Sequence, residues 1–137
     1  MASLADILTT QKNGVVGING LITSLNTLAN NIGNPVLLYR GAAATSYTTL
    51  YTVPAGSVAY VKDITVCNSS ASPVNFYISL VPQGGTASAA NAIFFSNPLP
   101  AYTTIQWTGF QVIGANSTIQ AYASSTSCSF SISGGLD

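Results

Sequence analysis

The chain has 137 residues, 47% of them apolar, and only six formal charges: Asp6, Lys12, Arg40, Lys62, Asp63 and Asp137, which sum to zero. That is far below the roughly 25% charged residues of ordinary soluble domains, and so neutral a surface leaves an isolated monomer poorly protected against association. With no basic cluster, counterion release from phosphates has nothing to act on and anionic membranes exert no pull, so neither nucleic acid nor membrane is an expected partner.

The N-terminal stretch differs from everything after it. Leu4, Leu8, Gln11, Val15, Ile18, Ile22, Leu25, Ala29 and Ile32 follow one another at alternating spacings of four and three, the mark of a heptad seam. Leu8, Val15, Ile22 and Ala29 take the a positions, and the others take d. Ile7, Leu21 and Leu28 widen the stripe from g. Ile at both a and d disfavours dimers, and one polar seam residue such as Gln11 can fix the register. The expectation is therefore a coiled-coil-like helical segment over residues 1–34 that makes the chain a homotrimer, the alternative being a helix folded back onto the β-domain of its own chain, since seam and stripe look alike over short lengths. Ser3 can cap the helix and Asp6 suits its positive end, while Gly33, Asn34 and Pro35 stop it. Gly14, Gly17 and Gly20 each cost about 1 kcal/mol relative to Ala inside a helix, so the segment needs a partner to stay folded. The start MASLADILTTQKNG lacks the basic region and apolar run of a signal peptide, which points to assembly in a cytoplasm. No run of about twenty apolar residues spans a bilayer.

From Pro35 to Asp137 the pattern becomes short strands bounded by Gly, Pro, Asn and Ser: residues 36–40, 47–53, 58–67, 74–81, 92–96, 102–108, 110–113, 117–123 and 127–133. Val74, Phe76, Ile78 and Leu80 alternate with Asn75, Tyr77 and Ser79, and Cys128, Phe130 and Ile132 alternate with serines. Pro54-Ala55-Gly56 and Gly114-Ala115-Asn116-Ser117 read as turns, and the stretch GGTASAAN from Gly84 as an exposed loop. These features predict a mainly β chain: an antiparallel, jelly-roll-like β-sandwich over residues 35–137 behind the helical segment. Asn68-Ser69-Ser70 and Asn116-Ser117-Thr118 match the glycosylation pattern and are read as turn residues.

Candidate chemistry is thin. Cys67 and Cys128 have no metal-ligand spacing; Cys128 reads as a small core residue, and a disulfide between the two, or from Cys67 to a neighbouring subunit, is the alternative. Histidine is absent, so a Ser or Cys nucleophile lacks its usual base, and the three aspartates form no evident pair. Lys62 beside Asp63 reads as a solvated pair. No phosphate loop, zinc pattern or calcium loop occurs, so the sequence predicts no enzyme, no metal and no cofactor. Trp107 and the tyrosines Tyr39, Tyr47, Tyr51, Tyr60, Tyr77, Tyr102 and Tyr122 invite a glycan- or partner-binding reading, with Trp107 the named contact, since aromatic faces stack on sugars; packing in the core and between subunits is the default expectation for them.

The segment YTVPAGSVAYVKDITVCN, residues 51–68, in which a strand enters a Val-Pro-Ala-Gly turn and leaves along an apolar strand ending in Cys-Asn, resembles small virion structural proteins of tailed bacteriophages. LTTQKNGVVGINGLITSLNTL, residues 8–28, is similar to helical leaders in such proteins. The resemblance implies a virion location and a capsid decoration or cement protein, a collar or head fibre, or a tail-associated component. Its partners would be other virion proteins of the capsid, collar or tail. The second expectation, of a different class, is a receptor- or carbohydrate-binding head on a trimeric stalk.

Overall fold

The computed structural model describes residues 3–4, 18–23 and 34–137, and the chain divides into two compact units, Met1–Ile32 and Gly33–Asp137. Residues 18–23 are helical, with Thr23 Oγ1 donating to the Asn19 carbonyl one turn back at 3.0 Å. Six of the nine seam residues, Leu8, Gln11, Val15, Leu25, Ala29 and Ile32, lie outside the described residues.

In the second unit, β-branched and aromatic residues at alternate positions form eight strands: β1 (Asn34–Ala42), β2 (Thr48–Thr52), β3 (Ala59–Asn68), β4 (Val74–Val81), β5 (Ala92–Leu99), β6 (Thr104–Ile113), β7 (Thr118–Ala123) and β8 (Cys128–Leu136). They make two four-stranded antiparallel sheets, in the orders β1-β8-β3-β6 and β2-β7-β4-β5. Pairing is nested from the outside in. The first strand pairs with the last, β2 with β7, β3 with β6 and β4 with β5.

Both sheets turn one face to a single core. Ile64, Val66, Phe130 and Ile132 come from the first sheet, and Phe76, Ile78, Ile119 and Ala121 from the second. Phe76 and Phe130 meet between the sheets with ring centroids 6.3 Å apart. In β3, two successive half-buried residues, Lys62 and Asp63, sit where the register shifts between Val61 and Asp63. This bulge resets the pleat so that Ala59 and Val61 on one side of it, and Ile64 and Val66 on the other, all reach the core. β8 accommodates the bulge with glycine, because a Cβ on Gly134 would lie 1.6 Å from the Tyr60 carbonyl oxygen.

The turns match their sequence chemistry. Ser57 N donates to the Pro54 carbonyl at 3.1 Å with Gly56 at φ 78°, and Ser117 N donates to the Gly114 carbonyl at 3.2 Å with Asn116 at φ 61°. The stretch from Gly84 carries a short 3-10 turn, Ala89–Asn91, closed by a reciprocal Ser88 and Asn91 capping box. Where two strands were expected, at 102–108 and 110–113, there is one continuous β6. Gly109 does not break it, since it supplies the space over which the Trp107 ring lies: a Cβ there would come 2.5 Å from the indole.

Candidate functional site

Of the seam residues, Leu4, Ile18 and Ile22 are described, and they are exposed by 72%, 61% and 50% respectively. Leu21, on the widened edge of the stripe, is equally exposed. Leu8, Gln11, Val15, Leu25, Ala29 and Ile32 lie outside the described residues.

Cys67 and Cys128 are free thiols. Cys128 stands opposite Asn68 and Cys67 opposite Ser129, one position apart on the adjacent strands β3 and β8. Directly paired residues share a face and successive residues alternate, so Cys128 points into the core and Cys67 to the outer face of the same sheet. The pleat does not aim the two at each other. Burial pushes the Cys128 thiol up to about 11, with Cys67 adding to the shift.

Trp107 pairs with the core residue Ile64 across β3 and β6, so its ring turns inward at the edge of the sheet and packs against the core, half-buried. The aromatic surface lies elsewhere. On the outer face of the second sheet, Tyr47, Tyr122, Tyr77 and Phe95 form one row that crosses the sheet in strand order, from the residue before β2 through β7 and β4 to β5. Tyr77 and Tyr122 are directly paired and stack at 4.1 Å with only 4° between their planes. Tyr47 meets Tyr122 edge-on at 4.6 Å, and Phe95 meets Tyr77 edge-on at 5.2 Å. Phe95 faces outward because it follows the core-packed Phe94, and the register shift after it, with Ser96 in the left-handed region at φ 49°, turns the strand so that Asn97 pairs with Phe76. Burial raises the Tyr122 phenol above its usual range, and the neighbouring Tyr77 and Tyr47 phenols raise it further. The Tyr47 hydroxyl is enclosed without a hydrogen-bond partner among the described residues.

The outer face of the first sheet is built differently. Its middle is polar, with Arg40 Nε donating to Ser131 Oγ at 3.2 Å and Asp63 accepting from Gln106 and Thr65. One corner, at the β6 edge, is apolar: Tyr60 stacks on Phe110 at 5.1 Å and pairs with Val112, and its hydroxyl donates to Asp137 Oδ2 at 3.4 Å. Phe110 is 55% and Val112 57% exposed. Burial raises the Tyr60 phenol, and the Asp137 carboxylate raises it further. On the same face a shallow hollow of about 420 Å³ runs from β1 over β8 to β3, lined by Leu37, Arg40, Ser133 and Lys62 above Val36 and Gly134, with Lys62 two residues along β3 from Tyr60.

Tyr47, Tyr60, Tyr77 and Tyr122 are among the aromatic candidates of the sequence but are not grouped there, and Phe95, Phe110 and Val112 are not singled out. Tyr77, Tyr122 and Phe95 belong to three different strands, and only the pairing brings them together. The alternation that puts Tyr77 opposite Phe76 and Ile78 in facing was nevertheless readable. Among the described residues, no group of three His, Cys, Asp or Glu side chains could hold a metal ion. Compared with protein-family models, with curated proteins and with solved structures, the chain matches none of them.

Proposed function

We propose that this chain is a non-enzymatic virion structural protein: a homotrimeric accessory component of the capsid decoration, cement, collar or head-fibre type, binding other virion subunits. The observation that carries the reading is a surface suited to burial. The β-domain has Arg40, Lys62, Asp63 and Asp137 as its only charges, yet leaves Leu37, Phe95, Tyr102, Phe110 and Val112 each more than half exposed. Apolar area of that extent on so neutral a protein favours assembly over solitary life. The nested strand pairing supports the finer description of the domain as a jelly roll, the winding of a folded-over antiparallel ribbon. The resemblance of residues 8–28 and 51–68 to phage virion proteins supports the particle context.

In such a role, modest contacts repeated by symmetry add up through multivalency, so no single site has to be strong. The test is a particle assembled without this protein. Reduced resistance to heat or osmotic shock, restored by adding the purified chain, is the expected result, and unchanged resistance together with no binding to the particle would sink the reading.

The aromatic row favours a second reading, a carbohydrate-binding head on a trimeric stalk. Its contacts would come from Tyr47, Tyr77, Tyr122 and Phe95 rather than from the inward-turned Trp107. Glycan-array binding lost in Phe95→Ala and retained in Trp107→Phe would support it.

A further inference from the structure

The two edges of the first sheet are complementary to each other. We propose that the β-domain carries its own head-to-tail self-association site, in which the Tyr60, Phe110, Val112 and Asp137 corner of one chain enters the Leu37, Arg40 and Lys62 hollow of a second copy. The inference rests on the assembly reading above and specifies which surface of the head makes the contact.

Apolar surface is exposed on both sides of the proposed contact. Phe110 and Val112 protrude at the β6 edge, and Leu37, 52% exposed, stands at the β1 edge beside Pro35 and Val36. The hollow of about 420 Å³ is shallow and open to solvent, so it offers a surface on which a phenylalanine and a valine side chain can lie rather than a closed pocket.

Charge selects the pairing. Arg40 and Lys62, the two cations of the β-domain, both line the hollow; Asp63 stands beside it, paired with Ser133, and leaves the patch one net positive charge, while Asp137 sits in the protruding corner. Corner against hollow brings opposite charges together. Corner against corner would oppose two Asp137 carboxylates, and hollow against hollow two net positive patches, so a two-fold contact through either patch alone is disfavoured. Corner on hollow is met head to tail or by a two-fold that engages both patches at once; the free edges of β1 and β6 select the head-to-tail form, which closes into a ring when the rotation permits.

Strand direction agrees with this arrangement. The first sheet holds four strands in strict antiparallel alternation, so its two edge strands, β1 and β6, run in opposite directions. A neighbour rotated about an axis parallel to the strands would set its β1 antiparallel to β6 and continue the alternation. β6 is suited to such a neighbour, since it spans ten residues without a charge or a proline.

The test uses the full-length chain on a Cys67→Ser background. Chains carrying only Leu37→Cys and chains carrying only Val112→Cys are co-expressed and mildly oxidised. A cross-linked dimer is expected from the mixture and from neither variant alone. In parallel, Phe110→Lys should weaken self-association at least about tenfold in sedimentation equilibrium, in line with loss of a buried aromatic anchor, while its circular dichroism stays that of the parent. An oligomer that shows no 37–112 cross-link, or that cross-links equally well through Val112→Cys alone, overturns the head-to-tail site and leaves the assembly reading standing. A parent chain that sediments as a monomer at high micromolar concentration overturns both.

Discussion

Asn68 shows how much one side chain organises at the end of β3. It is 1% exposed, and its amide donates to the carbonyls of Ser72, Leu99 and Pro100 while its oxygen accepts from Ser70 N at 3.0 Å and Ser70 Oγ at 2.9 Å. It thus ties the β3–β4 turn to the end of β5. Asn68→Ala strands those carbonyls, which should cost about 2–3 kcal/mol in a denaturant melt. Asn68→Asp should be worse at neutral pH, because an ionised carboxylate facing carbonyl oxygens is repelled. Its folded pKa would be raised, so the folded state holds the proton more tightly than the unfolded one, and stability should recover as pH falls and be lost as pH rises. A variant no less stable at pH 7 than at pH 4, relative to the parent, would contradict this. Asn68-Ser69-Ser70 reads in sequence as a turn tripeptide, which is half of the story. The inward phase of Ile64 and Val66 continues to Asn68 two residues on, and that alternation was the available sign of burial.

The two thiols make a second residue-scale case. Cys128 is fully buried and its thiol is raised from 9.0 to about 11, whereas Cys67 is half-buried on the outer face. A thiol reagent at neutral pH should modify Cys67 alone in the folded protein and both residues in denaturant. The raised Cys128 value also has a direction in stability. The folded state keeps the proton longer, so this contribution is intact below pH 9 and is lost as pH climbs from 9 to about 11. Cys128→Ala should flatten that part of the pH profile.

At the scale of the element, the strands of the β-domain were largely readable and the exceptions are informative. β8 announces itself by alternation from Cys128 to Ser133, and β3 by alternation on either side of its Lys62-Asp63 bulge. β6 does not: its pattern is exposed almost throughout, as an edge strand allows, and Gly109 in its middle imitates a break. What Gly109 provides is room for an aromatic ring, because the tryptophan two residues before it folds back along the strand. Gly109→Ala should force the Trp107 ring to move and cost about 1–3 kcal/mol, the usual range for overpacking. Trp107 is the only tryptophan, so its emission reports the displacement directly. An unchanged spectrum with unchanged stability would show that the ring does not lie over Gly109. The helical heptad pattern is a different matter, for its evidence in the described residues is confined to residues 18–23 and the exposed Leu4, Ile18, Leu21 and Ile22.

At the scale of the whole molecule, the sheet order is what local sequence could not disclose. Periodicity tells which face of a strand is buried but carries no term for which strand lies beside it, and here every partner except β5 for β4 is distant in the chain. The consequence is a strong dependence on the last strand. β8 lies inside the first sheet, bonded to β1 on one side and β3 on the other, and it delivers Cys128, Phe130 and Ile132 to the core. Without it β1 has no neighbour in its sheet and Phe76 loses the ring it meets across the core. A chain ending at Ser127 should therefore lack cooperative unfolding and bind hydrophobic dye, since losing Phe130 and Ile132 at about 2–5 kcal/mol each, together with the ladders to β1 and β3, is comparable to the whole stability of a domain this size. Removal of residues 1–33 should have the opposite outcome, because Gly33–Asp137 is a compact unit with its own core. The β-type circular dichroism and a single thermal transition should survive that deletion. A truncation at Ser127 that still melts cooperatively would mean that β8 is an accessory strand, and the nested pairing would then not be what holds the two sheets together.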